Sequence, residues 1–203
     1  LNIVDGAILL LYSTGFGLDP SSVSFMISFG YIAVGLSQFF FGWISDISYT
    51  TKWGARKPYV FVLSLLLVVS AVFLLMPQLV IDPTNLPLML GWLVLWLVLF
   101  KISYAVTTPY QSWMMEQFPV QDRPRVSQVQ NQFNFLGQII VALFGFLVMT
   151  NVTNYYKDPA NDPTIIPLAF LLSIVIFAVL FIGSFYTSAI LMPVEPPPLE
   201  KPK

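Results

Sequence analysis

The sequence has no cysteine and no histidine among its 203 residues. Without cysteine there is no disulfide, no thiol nucleophile and no thiolate metal site. Without histidine the commonest general base and metal ligand is gone. Charge is scarce too: 9% of residues are Asp, Glu, Lys or Arg, against about 25% in soluble domains. The net charge of −1 offers no basic surface to nucleic acid. No Gly-rich phosphate loop is present. An enzyme is therefore not expected, nor a metal or cofactor. What abounds is hydrocarbon: 57% of residues are hydrophobic and the mean hydropathy is +0.78. So few charges cannot build a water-facing surface, so the expected partner over most of the molecule is a lipid bilayer.

A membrane span needs about 20 predominantly apolar residues. Six such runs predict an all-α integral membrane protein. The first helix runs from Leu1 or earlier to Phe16, the second from about Ser22 to Ile44 and the third from Tyr59 to Met76. The fourth runs from Leu86 to about Trp113, the fifth from about Gln130 to Thr150 and the sixth from Ile165 to Leu191. Asp19-Pro20-Ser21-Ser22 reads as a helix start, with Asp19 as N-cap. Asp82-Pro83-Thr84, Asp158-Pro159 and Asp162-Pro163 mark further turns. The bundle is expected to fill residues 1–192. The proline-rich segment 193–203 reads as a linker or tail. The apolar start, without a basic stretch before it, predicts a truncated first helix rather than a signal peptide.

Lys and Arg orient the bundle. Lys52, Arg56, Lys57, Arg123, Arg125, Lys201 and Lys203 fall in one set of loops, and Lys157 alone in the other. That bias puts the first set, with the C-terminal tail, in the cytoplasm. Asn151-Val152-Thr153 is a glycosylation sequon on the expected outer side. Trp43, Trp53 and Trp113 read as interfacial anchors.

Two charges lie inside spans, where each costs about 2.5–3.5 kcal/mol on insertion scales. Asp5 and Lys101 fall roughly 18 and 22 Å from the outer face at 1.5 Å per residue, both near mid-membrane. Pairing would lower the cost of each. Helix five places Gln128, Asn131, Asn134 and Gln138 at spacings of three, three and four, which share one face. Helix two offers Ser37 and Gln38, and helix four offers Tyr104, Thr107, Thr108 and Gln111. These groups suit either solute hydroxyls or neighbouring helices. Gly30, Gly35 and Gly137 read as sites of close helix packing, and Pro109 as an interruption of helix four. Asp46 ends helix two, where the helix dipole disfavours an acid, so it needs a donor or cation.

The loop after helix two runs Gly42-Trp-Ile-Ser-Asp46, then Lys52-Trp53-Gly54-Ala-Arg56-Lys57-Pro58-Tyr59. Further on come Pro109-Tyr110, Glu116, Asp122-Arg123-Pro124-Arg125 and Gly137. Together these resemble the loop signatures of the major facilitator superfamily. Within it, the pattern looks most like the glycoside-pentoside-hexuronide:cation symporters, which include the melibiose and sucrose carriers. The resemblance implies the N-terminal six-helix half of a secondary transporter working by alternating access. It also implies a second six-helix half as partner and a small polar solute, a sugar or glycoside, as cargo. Helices one and four would then line the cavity, with Asp5, Lys101, Tyr104, Gln38, Asn131, Asn134 and Gln138 as candidate substrate or proton ligands. Gly42, Asp46, Gly54, Arg56 and Lys57 would form a cytoplasmic gate, and Glu116, Asp122, Arg123 and Arg125 a second network. The family's helix-two carboxylates are absent from Tyr31–Phe41, Ile47 replaces its basic residue, and Asn131-Gln132 stands where an arginine is common. A coupling cation is therefore expected to be a proton rather than sodium. Lipid or lysophospholipid transport, and a non-transporting membrane subunit, remain open.

Overall fold

The computed structural model describes residues 2–48, 53–158 and 160–191, with side chains from Val4 onward. The tail 193–203, Lys52 and Pro159 lie outside the described residues. Within them the chain forms six longer helical segments and a 3-10 helix at Pro77–Leu79. Helix α1 covers residues 2–15, an α-helix Asn2–Leu9 that widens into a π-helix Leu10–Gly15. Then come α2 (Pro20–Ile47), α3 (Lys57–Leu75), α4 (Leu86–Glu116), α5 (Arg123–Lys157) and α6 (Leu168–Leu191). The last five are long and apolar enough to cross a membrane.

The turns at the Asp-Pro end are built alike. Asp19 caps α2: its carboxylate accepts from Ser22 N–H at 2.9 Å, from Ser22 Oγ at 2.9 Å and from the Ser21 hydroxyl. Asp82 takes Thr84 N–H and Oγ1 at 2.9 and 2.8 Å, and Asp162 takes those of Thr164 at 2.8 and 2.7 Å. These donors favour the ionised carboxylate and lower all three pKa values, that of Asp19 to about 2. The Asp19 contribution is thus complete above the ordinary carboxylate range and is lost only as pH falls through about 2.

Two helices depart from expectation. In α4 the α geometry gives way to a 3-10 turn at Tyr104–Val106. Pro109 cannot donate to the Ala105 carbonyl and its ring crowds that oxygen, so the break falls one turn before the proline. The larger correction is α5, which extends to Arg123–Lys157 rather than ending near Gln130 and Thr150. Its first turns are too polar to read as a span, but Pro124 sits in the first turn, where proline is tolerated, and no later residue stops the helix. At its far end the Asn151–Thr153 sequon lies inside the helix: Thr153 is buried and donates to Met149 O at 2.9 Å. The expected loop acceptor is therefore a packed helical turn. At 1.5 Å per residue α5 is about 50 Å long, more than the ≈ 40–45 Å of a bilayer with its headgroups.

The core lies mainly between α1, α2, α3 and α4, with Met149 and Val152 of α5 and Phe170 and Ile174 of α6 packed into it. Tyr12 donates to Leu74 O at 2.8 Å, and Trp92 Nε1 to Phe73 O at 2.8 Å. Phe73 and Trp96 stack with ring centroids 4.5 Å apart. Trp113 is fully buried rather than interfacial, with the Lys57 ammonium 5.7 Å from its ring. Residues 123–144 of α5 bury no side chain, so this segment borders lipid or open space.

The charge bias yields a direct test of orientation. The sequence has no cysteine, so thiol labelling starts from zero background. Thr84→Cys should react with an impermeant maleimide on intact cells, and Val120→Cys only after permeabilisation. The reverse pattern would invert the bundle.

Candidate functional site

At mid-bundle Lys101 and Asp5 meet as a chelated ion pair. Lys101 Nζ lies 2.6 and 2.9 Å from the two Asp5 carboxylate oxygens. Lys101 has no exposure at all and Asp5 only 7%. Tyr31 of α2 completes the group: its hydroxyl donates to Asp5 Oδ2 at 2.5 Å, and the lysine ammonium sits 4.1 Å from its ring centroid. One side chain thus bonds the anion with its hydroxyl and faces the cation with its π cloud. Asp5 and Lys101, which residue counting put at similar depths, are partners.

Gly30 makes the approach possible. A Cβ there would lie 3.1 Å from Lys101 Cγ and 3.4 Å from its Cε. Lys101 is anchored at its backbone and at its ammonium, so it has little room to retreat. Gly35 and Gly137 meet nothing within 4 Å, so close packing is not their role. Gly30 packs closely as its sequence reading expected, whereas Tyr31 was not a site candidate by sequence. Tyr31 is 11 residues into α2, roughly 16 Å deep at 1.5 Å per residue, so the depth reasoning that found Asp5 would also have found it.

Tyr31 also forms one wall of a cavity of about 780 Å³. Tyr104, Thr107 and Gln111 of α4 and Asn134 and Gln138 of α5 line it as well. Of the polar face expected on α5, only this part reaches the cavity. Gln128 and Asn131 line a separate open groove of about 550 Å³ with Gln132. Spacings of three and three lag a 3.6-residue turn, so the face drifts around the helix. Gln38 is half-buried on α2 and lines neither space. Asp5 and Lys101 do not themselves line the cavity; Tyr31 stands between it and their ion pair.

At the other end Arg56, the N-cap residue of α3, bridges two acids. It pairs with Asp46 of α2 at 2.9 Å and with Glu116, the last residue of α4. Each acid sits at a helix C-terminal end and the cation at an N-terminus, where the helix dipoles disfavour them. Their contact relieves three unfavourable placements at once. Gly54 takes φ +75°, the left-handed turn that glycine permits. A Cβ on Gly42 would meet Thr108 Cγ2 at 3.2 Å, so α2 and α4 run close there. Among the described residues, Glu116, Asp122, Arg123 and Arg125 form no ion pair with one another. Glu116 joins Arg56 instead, and Arg123 donates to Phe118 O at 3.3 Å. Asp122 begins α5 without a side-chain cap bond.

A family model described as Major Facilitator Superfamily matches residues 2–203. No curated protein and no solved structure matches the chain.

Removing one member of a buried ion pair strands the other, at a cost of about 3–5 kcal/mol, whereas replacing both is close to neutral. Asp5→Asn and Lys101→Met should each lower the unfolding temperature of the detergent-solubilised protein, and the double variant should recover most of the loss. A double variant no better than the worse single one would contradict the pairing.

Proposed function

The chain belongs to the major facilitator superfamily, and on that premise we propose that this integral membrane protein moves a small polar solute, a sugar or glycoside, by alternating access with proton coupling. Its six helices are consistent with the N-terminal half of that fold. The observation that carries the reading is the 780 Å³ cavity with a buried carboxylate one hydroxyl behind its wall. That volume is within the range of small-molecule sites, roughly 300–1,000 Å³. Its uncharged donors and acceptors on Tyr31, Gln111, Asn134 and Gln138 suit hydroxyl groups.

Asp5 is the proton site in this reading. Protonation would remove the charge that holds Lys101 and alter the bond from Tyr31, and so the cavity wall. The lack of a carboxylate in the Tyr31–Phe41 segment of α2 favours a proton over sodium. Closure of the cavity requires a second six-helix half, and the charge bias puts Arg56, Asp46 and Glu116 on the cytoplasmic side. There the three-helix contact would hold the cytoplasmic side shut and release it when the halves rock.

The test is solute uptake by the full-length protein in proteoliposomes. An inward proton gradient should drive accumulation of a sugar. Asp5→Asn should cut gradient-driven accumulation about tenfold or more while retaining exchange of the same sugar without a gradient. Wild-type accumulation by both Asp5→Asn and Lys101→Ala would sink the coupling role, and no sugar flux by the wild type would sink the substrate class.

A further inference from the structure

A proton bound for Asp5 has to pass other side chains. The residue is 7% exposed and lines neither the cavity nor the groove on α5. Towards α4 both carboxylate oxygens are taken by the Lys101 ammonium, which is itself enclosed. Towards α2 stands Tyr31. It is 40% exposed, its hydroxyl donates to Asp5 Oδ2 at 2.5 Å, and it forms part of the cavity wall. This one side chain therefore touches the acid on one side and the cavity on the other.

The surroundings suit a transfer of protons through Tyr31. A phenol oxygen can accept a hydrogen bond while its own O–H donates another. The cavity is roomy enough for water, and Tyr104, Thr107, Gln111, Asn134 and Gln138 offer that water polar partners. Competing charge is scarce. Among the described residues, Lys101 is the charged side chain bonded to Asp5, and Tyr104 of α4 is a second phenol close enough to Tyr31 to interact with it. Asp46, Lys57, Glu116, Arg123, Arg125 and Lys157 all sit in the first or last turn of a helix. The middles of α3, α5 and α6 thus bring no charge to the depth of Asp5.

We propose that Tyr31 is the proton relay between the cavity and Asp5. A hydronium ion in the cavity gives a proton to Tyr31 Oη as the Tyr31 O–H proton moves to Asp5 Oδ2. One O–H bond of hydronium breaks and leaves water. One O–H bond at Tyr31 is exchanged for another, and one forms on the carboxyl group. The tyrosine ends neutral, Asp5 loses its charge, and rotation of the hydroxyl resets the relay. Lys101 serves the step by position, because its ammonium lies 4.1 Å from the Tyr31 ring centroid and holds that ring in place. The proposal rests on the reading of Asp5 as the proton site and adds the route and the carrier.

The test uses the proton alone as probe. Full-length protein in lipid nanodiscs is taken through a rapid drop in pH, and the carboxylic C=O band of Asp5 is followed by time-resolved infrared spectroscopy. The band is assigned by its loss in Asp5→Asn. Tyr31→Phe keeps the ring and removes the hydroxyl. It should slow the rise of the band at least about tenfold and leave its final amplitude at low pH unchanged. The wild type supplies a second measurement that needs no variant to fold. In mixtures of H2O and D2O its rate should follow a curve against deuterium content, as two protons moving together require. Equal rates in the wild type and Tyr31→Phe, or a straight line in the mixtures, overturn the relay while Asp5 stands as the proton site. A Tyr31→Phe band that is smaller as well as slower assigns Tyr31 to the structure of the ion pair and also overturns the relay. No Asp5 band at any pH at which the protein stays folded overturns both the relay and the proton site.

Discussion

A bilayer does not solvate charge, and Lys101 has no exposure to anything but protein. Several features follow from that single constraint. The ammonium needs an anion at its own depth, which α1 supplies as Asp5. The carboxylate has lone pairs to spare, which Tyr31 meets with its hydroxyl. The lysine stem must cross α2, which it can do because position 30 is glycine. Tyr31 is thereby held in place, and the wall it presents to the cavity is set by the ion pair behind it. The site's shape and its electrostatics thus have the same origin.

The charges at the Arg56 end behave differently. Asp46 and Glu116 keep 61% and 50% of their side-chain exposure. Pairs so open to solvent contribute about 1 kcal/mol or less each, close to a fivefold change in an equilibrium. Two such contacts bias a conformation without locking it. The buried pair at mid-bundle is far harder to separate. The bundle therefore combines a stiff centre with a more loosely tied rim.

Much of this was legible in the sequence because lipid simplifies the rules. Long apolar runs gave the helices, Asp-Pro gave the turns, and counting residues from a turn put Asp5 and Lys101 at similar levels, where they meet. What escaped depended on contacts across helices. The length of α5 was hidden because its ends are polar and their helicity owes nothing to hydropathy. Trp113 resembled an anchor until the fold buried it against Lys57. Asn131 and Asn134 looked alike, but the drift of the α-helix turned one towards the groove and the other towards the cavity. Glu116 lies nearer in sequence to Asp122 and Arg123 than to Arg56, yet its helix ends beside α3.

The close approach at Gly30 also constrains history. A side chain at position 30 would press on the Lys101 stem, and a shorter residue at 101 would leave Asp5 without its cation. A change at any one of the three positions therefore disturbs the other two, whichever changes first. Positions 5, 30 and 101 lie on three helices, but they should be inherited as one character.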